Sequence, residues 1–290
     1  MLFSEMQVRQ LGQVIREVAR EEIMPRFRQL SEGQVQQKSS AQDLVTVADV
    51  AAERKMTALL RSRFPSAQVI GEEAVAADAR LLRLLSGADM VIILDPIDGT
   101  KNFASGLPLF GVIAAVVVAG EVVAGAIYDP VLDDFAYALR GVGAWTEASG
   151  GQRTDLRVAG PRPIGDMSGF ASWRALPEPR RHTVASNLSR FAVVNSHRCV
   201  AHEYRVLCAG HTDFSMYAKM MPWDHAAGWL MHREAGGYAA RLDGSDYLPR
   251  HTEGGILYAA DRDSWNRIHA TLFGADQRLV SAEVVVPAAL

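Results

Sequence analysis

The stretch MVIILDPIDGTKNF, residues 90–103, contains a short apolar run followed directly by two aspartates, a glycine and a threonine. The apolar run is typical of a buried β-strand, and the small residues after it are typical of a turn into a helix. Asp95 and Asp98 therefore lie at a predicted strand end, and Gly99 and Thr100 lie where a helix can begin. Folds that combine sheets and helices usually place ligand-binding groups at such positions.

This strand end has the chemistry of a metal-assisted phosphate site. The carboxylates of Asp95 and Asp98, with the Ile97 carbonyl, suit a hard, oxygen-seeking cation such as Mg²⁺. Backbone N–H groups of Gly99 and Thr100 at the start of a helix suit a phosphate group. Taken singly, the two aspartates are equally typical of an ordinary turn. The combination predicts adjacent cation and anion sites, as metal-assisted phosphoryl chemistry requires.

Three further strands are predicted at short intervals after this stretch, over residues 110–118, 121–129 and 134–140. Turn residues such as Gly120 and Gly141 separate them. Such short connections leave no room for crossover helices, so the pattern predicts an antiparallel meander.

Helices dominate the predicted structure before residue 90. The first thirty residues are predicted to form an amphipathic helix, because apolar residues recur at helical spacing at Val8, Leu11, Ile15 and Val18. Thr46 and Asp49 have capping-box spacing ahead of a second helix. Before this helix we expect an exposed polar loop over 31–42. After it we expect a short strand over 67–70, followed directly by Glu72 and Glu73, and then a third helix over 77–86.

The predicted pattern changes from closely spaced strands to strands separated by helices after residues 150–163, which are rich in Gly, Arg and Pro. We place a domain boundary near residue 150. The half 1–150 is expected to be α+β, with the antiparallel sheet and most candidate metal ligands, and the half 151–290 is expected to be α/β. The second half contains predicted strands over 165–172, 191–195 and 255–260. It contains predicted helices over 182–191, 201–209, 224–235 and 263–273.

The composition excludes several classes of protein. The 290 residues are 49% hydrophobic with a net charge of −3, which does not favour a general nucleic-acid binder or an acidic-membrane binder. Two cysteines cannot build a disulfide framework or a four-thiolate zinc site. The N-terminus lacks the apolar core of a signal peptide, and the longest apolar stretch is about half of what spans a bilayer. We therefore expect a cytoplasmic protein without a membrane partner.

Four ordered motifs give the chain a resemblance to the inositol monophosphatase family of Mg²⁺-dependent, often lithium-sensitive phosphatases. They are DLVTVAD, GEE, DPIDGTKNF and WDHAAGWLMHREAGG, at residues 43–49, 71–73, 95–103 and 223–237. The resemblance implies a layered αβαβα sandwich of the inositol monophosphatase and fructose-1,6-bisphosphatase type, classed as α+β or α/β. It also implies a homodimer and hydrolysis of a small phosphorylated metabolite by a metal-activated water.

The resemblance also implies roles for individual residues. Two or three Mg²⁺ ions would be bound by Glu72, Asp95, Ile97 through its carbonyl, Asp98 and Asp224. The amides of Gly99 and Thr100 would bind the phosphate. Thr100 would pair with Asp49 and, together with Glu72, would orient the attacking water.

The substrate is less well indicated than the reaction. The chain departs from the inositol-selective pattern in the second half, where His202, Glu203 and Tyr217 are candidates for a different substrate wall or for ordinary packing. Lys101 is either a plain surface cation or a residue shared with histidinol-phosphatase-like and nucleotidase-like relatives. The alternatives are therefore a histidinol-phosphate or 3′-phosphonucleotide phosphatase, or a regulatory protein that acts through a partner such as RNA polymerase.

Overall fold

The structure, a computed structural model, describes residues 3–31, 33–40 and 43–274 of the chain. The α-helices within these residues are α1 (Glu5–Val18), α2 (Val47–Arg63), α3 (Glu72–Ala77), α4 (Leu84–Gly87), α5 (Thr100–Ala104), α6 (Arg180–Asn187), α7 (Val200–Cys208), α8 (Pro222–Glu234) and α9 (Arg262–Phe273). The strands are β1 (Val35–Ser40), β2 (Asp43–Thr46), β3 (Gln68–Gly71), β4 (Met90–Asp98), β5 (Gly111–Val118), β6 (Glu121–Asp129), β7 (Asp134–Leu139), β8 (Gly143–Glu147), β9 (Arg153–Asp155), β10 (Ser168–Ser172), β11 (Val193–Asn195), β12 (Phe214–Tyr217), β13 (Tyr238–Arg241) and β14 (Ile256–Ala259).

The larger sheet has seven strands in the order β3-β4-β5-β6-β7-β8-β9. Strand β3 is parallel to β4, and each later strand pairs antiparallel with the one before it. The predicted meander is confirmed. The last two strands, β8 and β9, were not predicted, because they are short and only partly buried.

Strand β5 shows why the centre of this sheet has such an apolar sequence. Val112, Ala114 and Val116 point into the core on one face, and the alternate residues of the strand point into the core on the other face. Side chains alternate across a strand, so a sheet covered on both faces needs apolar residues at every position. Each valine buried in this way stabilises the fold by about 1.5–3 kcal/mol.

The elements form five layers. Helices α1 and α2 pack on one face of the seven-stranded sheet, and α7 and α8 pack on its other face. Helix α8 also contacts the five-stranded sheet, whose order is β11-β10-β12-β14-β13. Helices α6 and α9 close the far side of that sheet. The predicted αβαβα sandwich is confirmed.

The N-terminal helix is interrupted after α1. One turn of π-helix, Ala19–Ile23, and one turn of 3₁₀-helix, Met24–Arg26, continue it. The predicted second helix is confirmed as α2, and Thr46 and Asp49 form the predicted capping box at its start. The predicted third helix is divided between α3, a 3₁₀ turn and α4.

The prediction of an exposed loop over residues 31–42 is wrong for its second part. Residues Val35–Ser40 form β1, which pairs antiparallel with β2. The hairpin lies at the surface, and Gln36 and Gln37 are exposed, so the strand lacks the apolar alternation that would have indicated it. Residues 41 and 42 lie outside the described residues.

The two sheets are formed by different parts of the chain, one before and one after residue 160. The seven-stranded sheet ends with β9, and the five-stranded sheet begins with β10, whereas α8 packs against both. We retain the division into residues 1–150 and 151–290 as a proposal. None of the helices in the described part of the chain is both long and apolar enough to cross a membrane.

Candidate functional site

The end of strand β4 departs from regular pairing at the DPID segment. Its register with β5 shifts between Asp95 and Asp98, where Pro96 has no N–H to donate to a neighbouring strand. Such an irregularity turns backbone groups out of the ladder. The Ile97 N–H donates to Asp95 Oδ1 at 3.1 Å, and the Ile97 carbonyl accepts a hydrogen bond from a side chain instead of from a strand.

Three aspartates converge at this point from two distant segments. Within the described residues, Asp95, Asp98 and Asp224 each offer a carboxylate oxygen, and these atoms lie within 4.8 Å of one another. Asp224 comes from the first turn of α8, which begins with a proline at its first position. The interlayer packing of α8 against β4 therefore assembles the cluster.

The aspartate cluster is electrostatically strained in the absence of a cation. Burial raises the pKa of all three aspartates above the ordinary carboxyl value, and neighbouring carboxylates raise those of Asp95 and Asp224 further. Three converging carboxylates are a donor set for a hard divalent cation, which would relieve this repulsion. The residues therefore fit an oxygen-liganded metal ion.

Asp98 is held in place by the start of α7. Its Oδ2 accepts hydrogen bonds from the Ala201 N–H at 2.6 Å and from the Cys199 thiol, with Sγ at 2.9 Å. Both donors contact the same oxygen, so they orient the carboxylate and leave Oδ1 for another contact. Burial raises the pKa of Cys199, which keeps the thiol protonated as a donor. The contact with Asp98 gives the Cys199 thiol a supporting position at the site.

Glu72, the first residue of α3, pairs with a residue that the sequence did not indicate. Lys38, on the β1 hairpin, places its Nζ 2.8 Å from Glu72 Oε1 and 2.5 Å from Glu73 Oε1. Burial acts to lower the pKa of Lys38, but the two carboxylates outweigh it and raise that pKa. Lys38 lies in a polar stretch without helical or strand periodicity, so no signal in the sequence distinguishes it.

The backbone beside Glu72 is fixed by a buried acid on α2. Glu53 accepts hydrogen bonds from the backbone N–H groups of Glu73 and Ala74, each at 2.8 Å. These are donors of the first turn of α3, which otherwise lack partners within the helix. Glu53 thereby couples the second helix to the position of Glu72.

Substituting Gly71 by alanine should destabilise the protein and disturb the site. An added Cβ would lie 2.2 Å from Glu53 Cδ, so Glu53 would have to give up both backbone hydrogen bonds. We expect the free energy of unfolding to fall by about 1–3 kcal/mol in denaturant titrations. Gly87→Ala is the matched control, because an added Cβ there meets nothing within 4 Å. Equal stability of the two variants would contradict the role assigned to Glu53.

Thr100 lies between the irregular end of β4, at residues 95–98, and the start of α2. Its Oγ1 is 3.0 Å from the Ile97 carbonyl and 3.5 Å from Asp49 Oδ1. The other oxygen of Asp49 accepts from the Thr46 backbone N–H at 2.8 Å and from the Thr46 hydroxyl at 2.6 Å. Burial raises the pKa of Asp49 to about 7, although the Thr46 hydrogen bonds oppose it. Asp49 is therefore both a helix cap and a group that exchanges a proton near neutral pH.

Gly99 is required by its backbone. It adopts φ 85° immediately before α5, a left-handed conformation that favours glycine. A Cβ there would also lie 3.0 Å from the Leu109 carbonyl oxygen and 3.1 Å from Cys199 Cβ. The tight turn brings the backbone of Gly99 and Thr100 to the cavity wall.

These residues share one cavity of about 840 Å³, a size suited to a small metabolite. Its wall is formed by Leu44, Glu72, Asp95, Ile97, Asp98, Gly99, Thr100, Lys101, Ala171, Ser172, Trp173, Arg174, Ser196, Arg198 and Asp224. Asp49 reaches this wall through Thr100. The structure thus brings together the predicted metal-binding and phosphate-binding residues, whose roles stay predictions.

The predicted specificity residues His202, Glu203 and Tyr217 are not part of this wall. His202 Nε2 is 3.0 Å from the Phe110 carbonyl oxygen, and Tyr217 is buried in the core between the sheets. Glu203 is also buried, and it accepts a hydrogen bond from the His197 N–H at 2.7 Å. The packing alternative agrees with these positions, and direct contact of the three residues with substrate stays a prediction.

Several wall residues were not predicted, among them Trp173, Arg174 and Arg198. These three lie after β10 and before α7, in loops without a periodic pattern or a motif. Only the packing of the five-stranded sheet against the first half brings these loops to the metal-binding segment.

The chain is similar to several characterised proteins over most of its length. A family model, the inositol monophosphatase family, matches residues 5–278. The Nus factor SuhB of Pasteurella multocida is 31% identical over 228 residues, covering 77% of this chain and 80% of that protein. The fructose-1,6-bisphosphatase/inositol-1-monophosphatase of Thermotoga maritima is 30% identical over 213 residues, covering 73% and 77%. The crystal structure of the extragenic suppressor protein suhB from Bartonella henselae matches with a TM-score of 0.77 at 27% identity, covering 93% and 98%.

Proposed function

Since this chain belongs to the inositol monophosphatase family, we propose that it is a phosphoric monoester hydrolase that uses Mg²⁺ and water to cleave a small phosphorylated metabolite. Family membership supports a phosphatase. One observation carries the proposal to this site: Asp95 and Asp98 from one segment and Asp224 from another converge in the cavity that also contains Thr100. A chain that had kept only the fold would have no reason to retain buried carboxylates with raised pKa values.

The metal ions would be held by oxygen atoms of Glu72, Asp95, Ile97, Asp98 and Asp224. Mg²⁺ bound there would lower the pKa of a water, neutralise phosphate charge and stabilise the departing alkoxide. Carboxylate and carbonyl oxygens suit Mg²⁺ better than softer metals. Lys38 pairs with Glu72. In the metal-bound enzyme its ammonium would therefore either share that carboxylate with a metal ion or move away from it.

Thr100 and Asp49 are proposed to orient the attacking water. The Thr100 hydroxyl has one proton, and it can give that proton to the Ile97 carbonyl or to Asp49. When the Ile97 carbonyl is engaged by a cation, Asp49 becomes the acceptor, and the lone pairs of Thr100 Oγ1 can accept a hydrogen from water. This arrangement would hold the water with one oxygen lone pair available for in-line attack.

The phosphate would be bound by the backbone of Gly99 and Thr100. Both residues form part of the cavity wall, and the left-handed turn at Gly99 lets the backbone approach closely. Backbone N–H groups bind an anion without introducing a further titratable group. This contact would be made to the phosphate and not to the leaving group, so it is compatible with many leaving groups.

Phosphate release in the presence of Mg²⁺ tests the proposal. The substrates should include inositol 1-phosphate, histidinol phosphate, fructose 1,6-bisphosphate and 3′-phosphoadenosine 5′-phosphate. Thr100→Ala is expected to lower kcat by about 10²-fold, whereas Thr100→Ser, which keeps the hydroxyl, should stay close to the wild type. If Thr100→Ala changes only the Mg²⁺ concentration needed for half-maximal activity, the water-orienting role is wrong.

A second function is favoured by one comparison. A relative with 31% identity is called Nus factor SuhB, which supports a regulatory role through a macromolecular partner. Negligible turnover on every substrate would favour that role over the phosphatase. A homodimer, lithium sensitivity and a cytoplasmic location stay predictions.

A further inference from the structure

The cavity wall combines the carboxylates of the metal-binding segment with a separate group of cations. Lys101, Arg174 and Arg198 all line it. Within the described residues, neither arginine forms an ion pair with any carboxylate, although several carboxylates line the same cavity. The arginines therefore do not serve to neutralise the metal ligands. Guanidinium groups are the donors best matched to phosphate and carboxylate anions, so their presence indicates an anionic ligand group.

Arg198 occupies its position at a conformational cost. Its φ is 53°, in the left-handed region, which is less favourable for a residue with a Cβ than for glycine. A glycine would remove this cost and would also remove the guanidinium. Strain of this kind at a cavity wall points to a function for the side chain.

The loop that carries Arg198 is held from two sides. Asn102, beside the metal-binding segment, donates through Nδ2 to the His197 carbonyl at 2.8 Å. The buried carboxylate of Glu203 accepts from the His197 N–H at 2.7 Å and from the Ser196 hydroxyl at 3.4 Å. Glu203 is thus a positioning residue for the loop. These contacts hold the unfavourable backbone conformation in a set place relative to Thr100 and its neighbours.

Arg174 is held by an aromatic neighbour. Its guanidinium carbon lies 5.3 Å from the centre of the Trp173 ring, within the range of a cation–π contact. A restrained guanidinium loses less freedom when it binds an anion than a fully mobile one. Arg174 and Arg198 therefore offer two donors on one cavity wall.

We propose that the leaving group of the substrate carries a second anionic group, a phosphate or a carboxylate, which Arg174 and Arg198 bind. The inference rests on the proposed phosphatase function and specifies its substrate class. A leaving group with a cationic amine, as in histidinol phosphate, would face two positive charges. A neutral polyol would leave both arginines, which are exposed, hydrated by water and would gain no ion pair from them. The cavity instead fits a bisphosphate or a carboxylated phosphomonoester.

Matched pairs of substrates test this proposal. Adenosine 3′-phosphate and 3′-phosphoadenosine 5′-phosphate differ only in the second phosphate, as do fructose 1-phosphate and fructose 1,6-bisphosphate. The distance between the two phosphates differs between the two bisphosphates. We expect at least one pair to show a kcat/KM preference of about 10-fold or more for the bisphosphate, and both Arg174→Gln and Arg198→Gln to reduce this preference by about 5- to 10-fold.

Two further variants distinguish substrate binding from a structural role. Arg190→Gln changes an exposed arginine outside the cavity wall and should leave the preference intact. Arg198→Gly should lose the preference as Arg198→Gln does, yet it should raise Tm by about 2 °C or more because the backbone strain is relieved. A purely structural role of Arg198 would instead lower Tm in both variants.

The outcomes separate this inference from the proposed function. Phosphate release without a preference in either pair, or a preference that survives both arginine substitutions, overturns the second anion site and leaves the phosphatase in place. Release only from inositol 1-phosphate or histidinol phosphate likewise overturns the second anion site and leaves the phosphatase in place. No release with Mg²⁺ from these two or from the four paired substrates overturns the phosphatase and this inference with it. A preference that falls in the arginine variants but not in Arg190→Gln supports both.

Discussion

Substituting Asp95 by asparagine is expected to abolish Mg²⁺-dependent phosphate release, with a loss of about 10³-fold or more in kcat/KM. Asp95 offers a carboxylate oxygen within 4.8 Å of those of Asp98 and Asp224, and its Oδ1 accepts a hydrogen bond from the Ile97 N–H at 3.1 Å. An amide keeps the shape but removes the charge and one strong oxygen ligand. The loss is measured by phosphate release over a range of Mg²⁺ concentrations, since higher Mg²⁺ should not restore turnover.

The same variant should gain thermal stability when no metal is present. Asp95 is buried, and its pKa is raised well above the usual range by burial and by Glu72, Asp98 and Asp224. Asparagine removes this unfavourable buried charge, so Tm in the presence of a chelator should rise relative to the wild type. A variant that is inactive and at least as stable as the wild type has lost chemistry and not folding.

The matched control for this prediction is Asp166→Asn, at an exposed aspartate remote from the cavity wall. It should change neither turnover nor Tm by a measurable amount. Wild-type turnover in Asp95→Asn would remove Asp95 from the site. Full recovery of Asp95→Asn at high Mg²⁺ would show that Asp95 only tunes metal affinity.

The second large effect concerns pH and metal together: the metal-free protein should lose stability as pH rises from about 4 to about 7. The pKa of Asp49 is raised to about 7 from an ordinary value of 3.8, and those of Asp95, Asp98 and Asp224 are raised too. In this range the folded protein holds protons that the unfolded chain has already released. Deprotonation therefore favours the unfolded chain, and stability falls with rising pH.

Saturating Mg²⁺ should reduce or reverse this loss. A cation favours the ionised carboxylates, so metal binding releases protons and strengthens as pH rises. We expect the Tm difference between Mg²⁺ and chelator to be small near pH 5 and to grow by several degrees toward neutral pH. Thermal unfolding at a series of pH values, with Mg²⁺ or with a chelator, measures both effects.

Glu203→Gln provides the control for this measurement. Burial raises the pKa of Glu203 to about 7 as well, and the charge of Asp98 adds a smaller contribution, but the Glu203 carboxylate accepts its hydrogen bonds from Ser196 and His197 and does not belong to the aspartate cluster. Its substitution should make the metal-free pH dependence shallower while the Mg²⁺-dependent difference persists. Parallel pH curves with and without Mg²⁺ in the wild type would contradict a metal site at the aspartates.

Much of the fold follows from local patterns in the sequence. The strand and turn at residues 90–103, the meander after it and the capping box at Thr46 are each confirmed. In these segments apolar periodicity and local hydrogen bonding act within a few residues, so the sequence alone predicts the result. The β1 strand could not be predicted in the same way, because a surface hairpin needs no apolar face.

The residues of the candidate site also fall into two groups, those that a local motif indicates and those that only the tertiary structure brings to the site. The carboxylates, Thr100 and Gly99 lie in compact motifs whose spacing already indicates metal and phosphate chemistry. Lys38, Cys199 and the two cavity arginines carry no such pattern. The partners of the first two lie far away in the chain: Lys38 is 34 residues from Glu72, and Cys199 is 101 residues from Asp98.

The sequence by itself determined the buried strand at residues 90–98 and the meander after it through local periodicity, and its ordered motifs indicated the family, which implies the layered fold and supports a phosphatase. The tertiary structure decided which cations stand beside those motifs, and hence the class of substrate that we propose. The start of α7 meets the end of β4 where Cys199 and Ala201 contact Asp98, and the left-handed backbone of Arg198 lies beside this contact. Packing across the layers, and not the residues' order in the chain, sets those distances.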